Sequence, residues 1–357
     1  MKNLLRLLLK TQHQRNRSGP AQTEKGMTLV ELLVGSIMAF LIITPMLAFV
    51  VDMLNTDRRE QVKSNTEQDI QAAVDFISQD LSQAIYIYDN AGITAIRATD
   101  QLPPPPDKTT GSPILVFWKR QQIKNSVPIN NSIKPNECDT NPGKCNDTYV
   151  LSLVAYYQIK DTTNSIWCQP SGAVVNCPTR IARYEIRDGV RNPYAIATDE
   201  NFPYYNLSDT KDTQQPDPAF NKAFELTEPT KNVTIATELG NKKSGGKNPE
   251  VLVNYIDHTK VSLAGAQCKT ALGNPTDPKD ATKFLDETTL RVTDSPTAID
   301  TNSFYACVDT DKNIARVTIR GNSLRRLQDS NVASSTENSA FFPTATVQVQ
   351  GLGARGK

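Results

Sequence analysis

The chain has 357 residues, 38% of them hydrophobic and 22% charged, which is typical of a folded protein with one or two domains and polar loops. Its formal charge of +1 hides an asymmetry, because residues 1–26 carry six Lys/Arg and one Glu, and the remaining residues carry 33 Lys/Arg and 37 Asp/Glu. No basic patch interleaved with aromatic residues is present, so the sequence does not predict a nucleic-acid partner.

Residues 27–51 form an apolar segment in which Glu31 is the only charge before Asp52. At a rise of about 1.5 Å per residue, a helix of this length crosses a bilayer. Basic residues precede the segment and acidic residues follow it, which predicts that the C-terminal part lies outside the cytoplasm. A secretory signal would have a shorter apolar region and a small-residue cleavage site at its far end. Residues 44–48 match such a site poorly, so the sequence predicts a retained membrane anchor.

Glu31 is costly in this setting, since an ionised side chain deep in a bilayer costs about 2.5–3.5 kcal/mol and normally has a partner. It lies one helical turn after Gly26, a small residue suited to a processing site. Cleavage there would free the amine of Met27, which is too close to Glu31 on the same helix to pair with it well. Each group then needs an opposite charge from a neighbouring subunit, and such a head-to-tail contact propagates into a filament. The alternative is a plain anchor with a tolerated interfacial glutamate.

The membrane segment is predicted to continue as an amphipathic helix to about residue 90. Apolar residues recur at spacings of 4, 3, 4, 3 and 4, which draws one stripe on a helix: Ile70, Val74, Ile77, Leu81, Ala84 and Tyr88. A proline-rich linker at 101–107 follows. The alternative is two helices with a break near residues 55–57.

Beyond the linker the periodicity changes to two, which indicates antiparallel strands. Predicted strands lie at 113–119, 148–160, 180–188, 303–309, 315–320 and 345–350, with a short apolar run at 251–256 and a largely irregular stretch at 192–249. The predicted fold class is α+β, a long N-terminal helix packed on an antiparallel sheet with long loops. The predicted organisation is a basic leader (1–26, removed), a transmembrane half-helix (27–51), an amphipathic half-helix (52–90) and a β-rich head (91–357).

All six cysteines follow the membrane segment, and their even number and loop-like settings suit disulfides in an oxidising compartment. The favoured pairs are Cys138–Cys145, Cys168–Cys177 and Cys268–Cys307. Zinc binding is the competing interpretation, but the sequence has no C-x-x-C and too few histidines.

The sequence predicts neither an enzyme nor a cofactor. His258 is the only histidine outside the leader, and no metalloprotease or nucleophile-elbow motif is present. Asp309, Asp311 and Asn313 place oxygen ligands at alternate positions, as in the start of a calcium loop. Ile314 stands where that loop needs Gly, so a hairpin turn is the better interpretation.

Two further patterns have simpler structural interpretations. Residues 351–356 match G-x-G-x-x-G literally but precede no helix that could bind a pyrophosphate. Six aromatic residues could stack on sugars but are more simply core or sheet-face residues: Trp118, Trp167, Tyr156, Tyr157, Tyr204 and Tyr205.

The stretch GMTLVELLV at residues 26–34 resembles the start of type IV pilin and type II secretion pseudopilin precursors. The resemblance implies that a membrane peptidase cuts after Gly26 and methylates Met27, and that Glu31 is used in assembly. It implies as partners other pilins or pseudopilins, the prepilin peptidase, an inner-membrane assembly platform and membrane lipid. It also implies a single-pass inner-membrane protein with a periplasmic head, assembled into a filament in the periplasm or at the cell surface.

The rest of the chain fits the larger minor pseudopilins in outline. The long basic leader and residues 52–60 are similar to pseudopilins of cyanobacterial hormogonium polysaccharide secretion, which implies a role in polysaccharide export and gliding motility. The alternative within the family is a minor type IV pilin that displays an adhesin or glycan-binding head.

Overall fold

The computed structural model describes residues 26–98, 111–141, 143–161, 166–168, 177–218, 220, 249–263, 265–294, 299–327 and 332–353. The basic leader before Gly26, the proline-rich linker and most of the stretch from 221 to 249 therefore lie outside the described residues. The chain divides into two units, Met1–Asp57 and Arg58–Lys357.

Helix α1 spans Leu29–Ser82 as one continuous element of 54 residues, with Pro45 inside it, so the alternative of a break near residues 55–57 is wrong. In the second unit its buried residues recur every three or four positions, as the apolar stripe predicted: Thr66, Ile70, Ala73, Val74, Ile77, Asp80 and Leu81.

The helix ends earlier than predicted, because Ala84 and Tyr88 do not belong to it. Ala84 begins strand β1 (Ala84–Ile87), which pairs antiparallel with the next strand of the chain, and Tyr88 follows that strand. Both side chains are buried, at 0% and 1% exposure. The spacing of four between Ala84 and Tyr88 fits one face of a helix and also one face of an extended chain, so periodicity alone could not place the boundary.

The first sheet has five antiparallel strands in the order β1-β2-β3-β4-β5. After β1 come helix α2 (Asn90–Ala98), β2 (Gly111–Pro128), β3 (Cys145–Lys160), β4 (Thr179–Arg187) and β5 (Glu250–Ile256). Residues 192–218 contain a short 3-10 turn at Leu207–Asp209 but no strand of either sheet, as the irregular stretch predicted. Helix α2 was not predicted.

The second sheet has the order β11-β10-β9-β8. Its strands are β8 (Arg291–Val292), β9 (Phe304–Asp309), β10 (Ile314–Arg320) and β11 (Thr344–Gln350). Between β5 and β8 lie α3 (Gln267–Ala271), the hairpin of β6 (Thr276–Asp277) and β7 (Asp280–Phe284), and α4 (Glu287–Leu290). Helix α5 (Leu324–Leu327) follows β10. These elements confirm the α+β class.

One hydrophobic core joins the second half of α1 to both sheets. Residues of α1 such as Ile77 and Leu81 are fully buried in it together with Phe117 of β2 and Val317 of β10. The C-terminal part of the chain is therefore held on α1 by burial of apolar area, the dominant favourable term in folding.

The three disulfides are Cys138–Cys145, Cys168–Cys177 and Cys268–Cys307, the pairing that the sequence favours. The third has a sequence separation of 39 and ties α3 to strand β9 of the second sheet.

The glycines of the literal G-x-G motif have a packing role. A Cβ on Gly351 would overlap the carbonyl oxygen of Ala84, and one on Gly353 would overlap that of Ile85. Both glycines therefore permit a close approach between the end of β11 and the main chain of β1.

We expect Gly351→Ala to destabilise the head by about 1–3 kcal/mol, because the main chain of β1 must move to admit the methyl group. Thermal unfolding of the full chain in detergent, followed by circular dichroism, measures this. Gly26→Ala is the control, because the added Cβ has no described heavy atom within 4 Å. Gly143→Ala is unsuitable as a control, since Gly143 has a φ of +78° that an alanine rarely adopts. An unchanged melting temperature for Gly351→Ala would contradict the close approach.

Candidate functional site

The candidate site lies at the start of α1, where Gly26, Met27 and Thr28 precede the first helical residue. All three are exposed, and the Met27 side chain has 75% of its surface accessible. A Cβ at Gly26 would have no heavy atom within 4 Å. Packing among the described residues therefore does not require a glycine at this position.

Thr28 and Glu31 form a capping box at this end of the helix. The Glu31 main-chain N–H donates to Thr28 Oγ1 at 3.3 Å, and the Thr28 main-chain N–H donates to Glu31 Oε2 at 3.0 Å. The Thr28 hydroxyl also donates to Glu31 Oε2 at 3.0 Å. This reciprocal arrangement satisfies main-chain donors that would otherwise have no partner at the helix N-terminus.

The capping role of Thr28 was not predicted, although the sequence contains the pattern for it. Thr28-Leu29-Val30-Glu31 is a T-x-x-E sequence directly before an apolar run, which is the pattern of a capping box. Glu31 accordingly has two separable properties, its hydrogen bonds to Thr28 and its negative charge. No described Lys or Arg forms an ion pair with that charge within the chain.

The first part of α1 is apolar and exposed on all sides. Leu29–Ser82 is the one described helix that is long and apolar enough to cross a membrane, and its most apolar window has no buried residue. The large exposed side chains are Leu29, Val30, Leu32, Leu33, Val34, Ile37, Met38, Phe40, Leu41, Ile42, Ile43, Met46, Leu47, Phe49, Val50, Val51, Met53 and Leu54. A continuous apolar surface of this size marks contact with a membrane or with other chains.

A cluster of charged residues lies where α1 packs on the first sheet. Asp80 on α1 accepts hydrogen bonds at Oδ1 from Lys119 Nζ (3.0 Å) and at Oδ2 from Arg183 Nε and Tyr156 Oη (2.7 Å each). Glu185 completes a ring, with Oε1 at 3.2 Å from Lys119 Nζ and Oε2 at 2.7 Å from Arg183 Nη2. The two carboxylates and two cations balance, so the ring fastens α1 to strands β2, β3 and β4 without a net buried charge.

The pKa values support a structural role for this ring. Burial alone would raise the pKa of Asp80, but the Arg183 hydrogen bond and the charges of Lys119 and Arg183 outweigh it and hold that pKa below its ordinary value. Burial acts on Glu185 in the same way, and Lys119 and Arg183 hold its pKa below the ordinary value of a glutamate. Both carboxylates are therefore ionised near neutral pH, which suits an ion pair rather than a proton donor.

The three residues of the calcium candidate have different surroundings. Asp309 is buried at the end of β9, and its Oδ1 accepts from the Lys312 main-chain N–H at 3.2 Å. Asn313 has a φ of 51°, and its Nδ2 donates to the carbonyl oxygen of Ala84 at 2.9 Å. Asp311 is exposed. The segment is a hairpin turn between β9 and β10, as preferred from the sequence.

Among the described residues, one group has ligand atoms close enough together to hold a metal ion: Asp161, Cys168 and Cys177. Its two cysteines are joined in a disulfide, and Asp161 forms an ion pair with Arg180. These partners already use the ligand atoms, so the group is a structural one.

Most aromatic candidates for sugar stacking are buried. Five of the six are at most 7% exposed, namely Trp118, Tyr156, Tyr157, Tyr204 and Tyr205. Tyr156 binds Asp80, and Tyr204 Oη donates to Asp188 Oδ1 at 2.5 Å. Trp167 is half-buried, and the guanidinium of Arg180 lies 5.4 Å from its ring centroid. The five buried rings therefore leave little exposed surface on which a sugar could stack.

Comparison of the chain with protein-family models, with curated proteins and with solved structures finds no match.

Proposed function

We propose that the protein is a minor pseudopilin, a non-enzymatic structural subunit of a filament of the type IV pilus or type II secretion kind. The observation that carries the proposal is an exposed carboxylate at Glu31 that forms no ion pair with any described residue, one turn after Gly26, at the start of a helix with an apolar surface on all sides. Before assembly, the first part of α1 anchors the chain in the inner membrane and the head lies in the periplasm.

Assembly uses the charge of Glu31 in this proposal. A peptidase cuts after Gly26, and the new amine of Met27 pairs with the Glu31 carboxylate of a neighbouring subunit. In a low-dielectric environment neither charge is stable alone, so each subunit both supplies and accepts one contact. The contact is heterologous and therefore propagates along a filament. The apolar surface of α1 then exchanges lipid for other subunits.

The resemblance to pseudopilins of polysaccharide secretion suggests which molecule the filament helps to export. A subunit like the pseudopilins of polysaccharide secretion would support export of an extracellular polysaccharide and gliding motility. Deletion of the protein's gene should then reduce surface polysaccharide and motility together. Restoration of both by the unaltered chain and of neither by an assembly-deficient variant would support the assignment.

We expect Gly26→Leu to retain residues 1–26, because a bulky side chain replaces the small residue before the scissile bond. Intact-mass and N-terminal analysis of the membrane-extracted protein measures this. Gly35→Leu is the matched control, since a Cβ at Gly35 also contacts nothing within the chain, and it should be processed normally. A methylated Met27 in the unaltered protein supports the proposal, and an intact Met1 would show that the protein is a plain membrane anchor.

A further inference from the structure

A cleft in the head lies between helix α3 and the outer face of the second sheet. It has a volume of about 760 Å³ and is lined by Gln267, Thr270, Tyr305, Arg316 and the alanines at 266 and 271, with the Cys307 disulfide at its floor. This volume is within the range of roughly 300–1,000 Å³ that is usual for small-molecule sites.

The register of the strands fixes which side chains share this face. Arg316 of β10 is opposite Cys307 of β9 and opposite Gln348 of β11. Because side chains alternate along a strand, Tyr305 lies on the same face as Cys307. The opposite face of the same strands carries the apolar residues that pack in the core, such as Ala306 and Val317.

Arg316 is the cation of this cleft, and it has no hydrogen-bond or ion-pair partner among the described residues. The carboxylate of Glu287 in α4 is already engaged, since it accepts from the main-chain N–H groups of Cys268 and Lys269 in α3 at 2.9 Å each. The same carboxylate lies 3.6 Å from Arg291 Nη1. The guanidinium of a half-buried arginine that no described residue binds is suited to a planar anion such as a carboxylate.

The other residues that line the cleft carry no charge. Tyr305 Oη donates to Gln267 Oε1 at 3.4 Å, and the exposed Thr270 adds a hydroxyl group. On the same face beyond Arg316, Thr318 and Thr346 share a hydrogen bond at 3.1 Å, and Gln348 is exposed. The seven residues of β11 include no charged side chain. Hydroxyl, amide and phenol groups in such a row match the hydroxyl groups of a sugar polymer.

We propose that this cleft binds an acidic saccharide, with the guanidinium of Arg316 holding a sugar carboxylate. The ring of Tyr305 contacts the apolar face of the sugar, and the Gln267 amide and Thr270 hydroxyl bind its hydroxyl groups. A longer chain continues across Gln348 and Thr346. The site goes beyond the filament role and does not depend on it, because the cleft lies wholly within the head.

Calorimetric titration of the full chain in detergent micelles tests the site, with trigalacturonate as the probe and maltotriose as the neutral control. We expect saturable binding of trigalacturonate and much weaker binding of maltotriose. Arg316→Gln should weaken trigalacturonate binding about tenfold or more, since a charge-assisted contact is lost. Arg316→Lys should fall between Arg316→Gln and the unaltered protein, because it keeps the charge but not the planar fork.

Several controls make the outcome decisive. Lys279→Gln removes an exposed cation at the β6–β7 turn and should leave binding unchanged, as should Glu31→Ala, which removes the assembly contact. Because Arg316 has no partner among the described residues, Arg316→Gln should unfold at the same temperature as the unaltered protein. Equal affinity for maltotriose, equally tight binding of inorganic phosphate, tighter binding of an acidic peptide, or full binding by Arg316→Gln would each overturn the proposal.

Discussion

Glu31→Ala is expected to insert in the membrane normally and to fail to enter filaments. Removing one partner of a buried charge pair costs about 3–5 kcal/mol, because the other charge is left without compensation in a low-dielectric environment. For each contact this corresponds to a fall of roughly two to four orders of magnitude in the association constant. Fractionation of cells into membrane and sheared-filament fractions, followed by immunoblotting, measures the distribution of the variant.

Two companion variants separate the charge of Glu31 from its capping role. Residue 31 is the third residue of the helix, and Glu31→Gln keeps an oxygen there that accepts from the Thr28 N–H but removes the negative charge. Thr28→Val removes the hydroxyl group of the cap but keeps the charge. If the charge pairs with a neighbouring subunit, Glu31→Gln fails to assemble like Glu31→Ala, and Thr28→Val still assembles. Normal assembly of Glu31→Gln would contradict the proposed charge pair between subunits.

Asp80→Ala has the second of the two largest expected effects, a loss of about 3–5 kcal/mol of head stability. The change leaves the buried Lys119 and the half-buried Arg183 with only Glu185 between them, and it removes the acceptor of the Tyr156 hydroxyl group. For a domain of this size we expect the melting temperature to fall by roughly 6–12 °C. Trp118, buried in the same sheet, gives a fluorescence signal for the transition in the full chain in detergent.

Asp75→Ala is the matched control for this experiment. Asp75 is exposed on the same helix, where its Oδ1 accepts from Gln71 Nε2 at 3.0 Å, and its removal should change stability by less than about 0.5 kcal/mol. Similar losses for Asp75→Ala and Asp80→Ala would show that the helix surface, and not the buried ring, is responsible.

The same ring predicts a pH dependence. The pKa values of Asp80 and Glu185 in the folded protein lie below the ordinary values of these groups, so the unfolded chain binds these protons more readily. Their contribution to stability is therefore fully present above the unfolded values and is lost as the pH falls through the folded ones. The melting temperature should drop on acidification below about pH 4.5, and this part of the drop should be smaller in Asp80→Ala.

Local patterns in the sequence were sufficient for several features of the fold. Apolar residues at helical spacing predicted the buried stripe of α1, and period-two runs predicted β2, β3, β4, β9, β10 and β11. Close cysteines favoured the pairs Cys138–Cys145 and Cys168–Cys177. In each case the signal lies within a short stretch of chain, where the geometry of one element sets the pattern.

The candidate assembly site was also readable from the sequence, because a charge in an apolar segment needs only composition to be noticed. Gly26, Met27 and Glu31 lie within a few residues of one another, and the T-x-x-E cap shares that stretch. The end of α1 was not readable, since β1 forms only by pairing with β2 across the intervening helix α2 and linker.

The apolar segment, the carboxylate at Glu31 and the strand pattern were thus determined by the sequence alone, since each depends on neighbours along the chain. Only the tertiary structure joined Asp80 to Lys119, Arg183 and Glu185, and placed Arg316 beside Tyr305 with no partner among the described residues. These residues come from different strands and helices, so their charges meet only after the sheets have packed on α1. Coulomb interactions depend on distance in space and on burial, and no spacing in the sequence encodes either quantity.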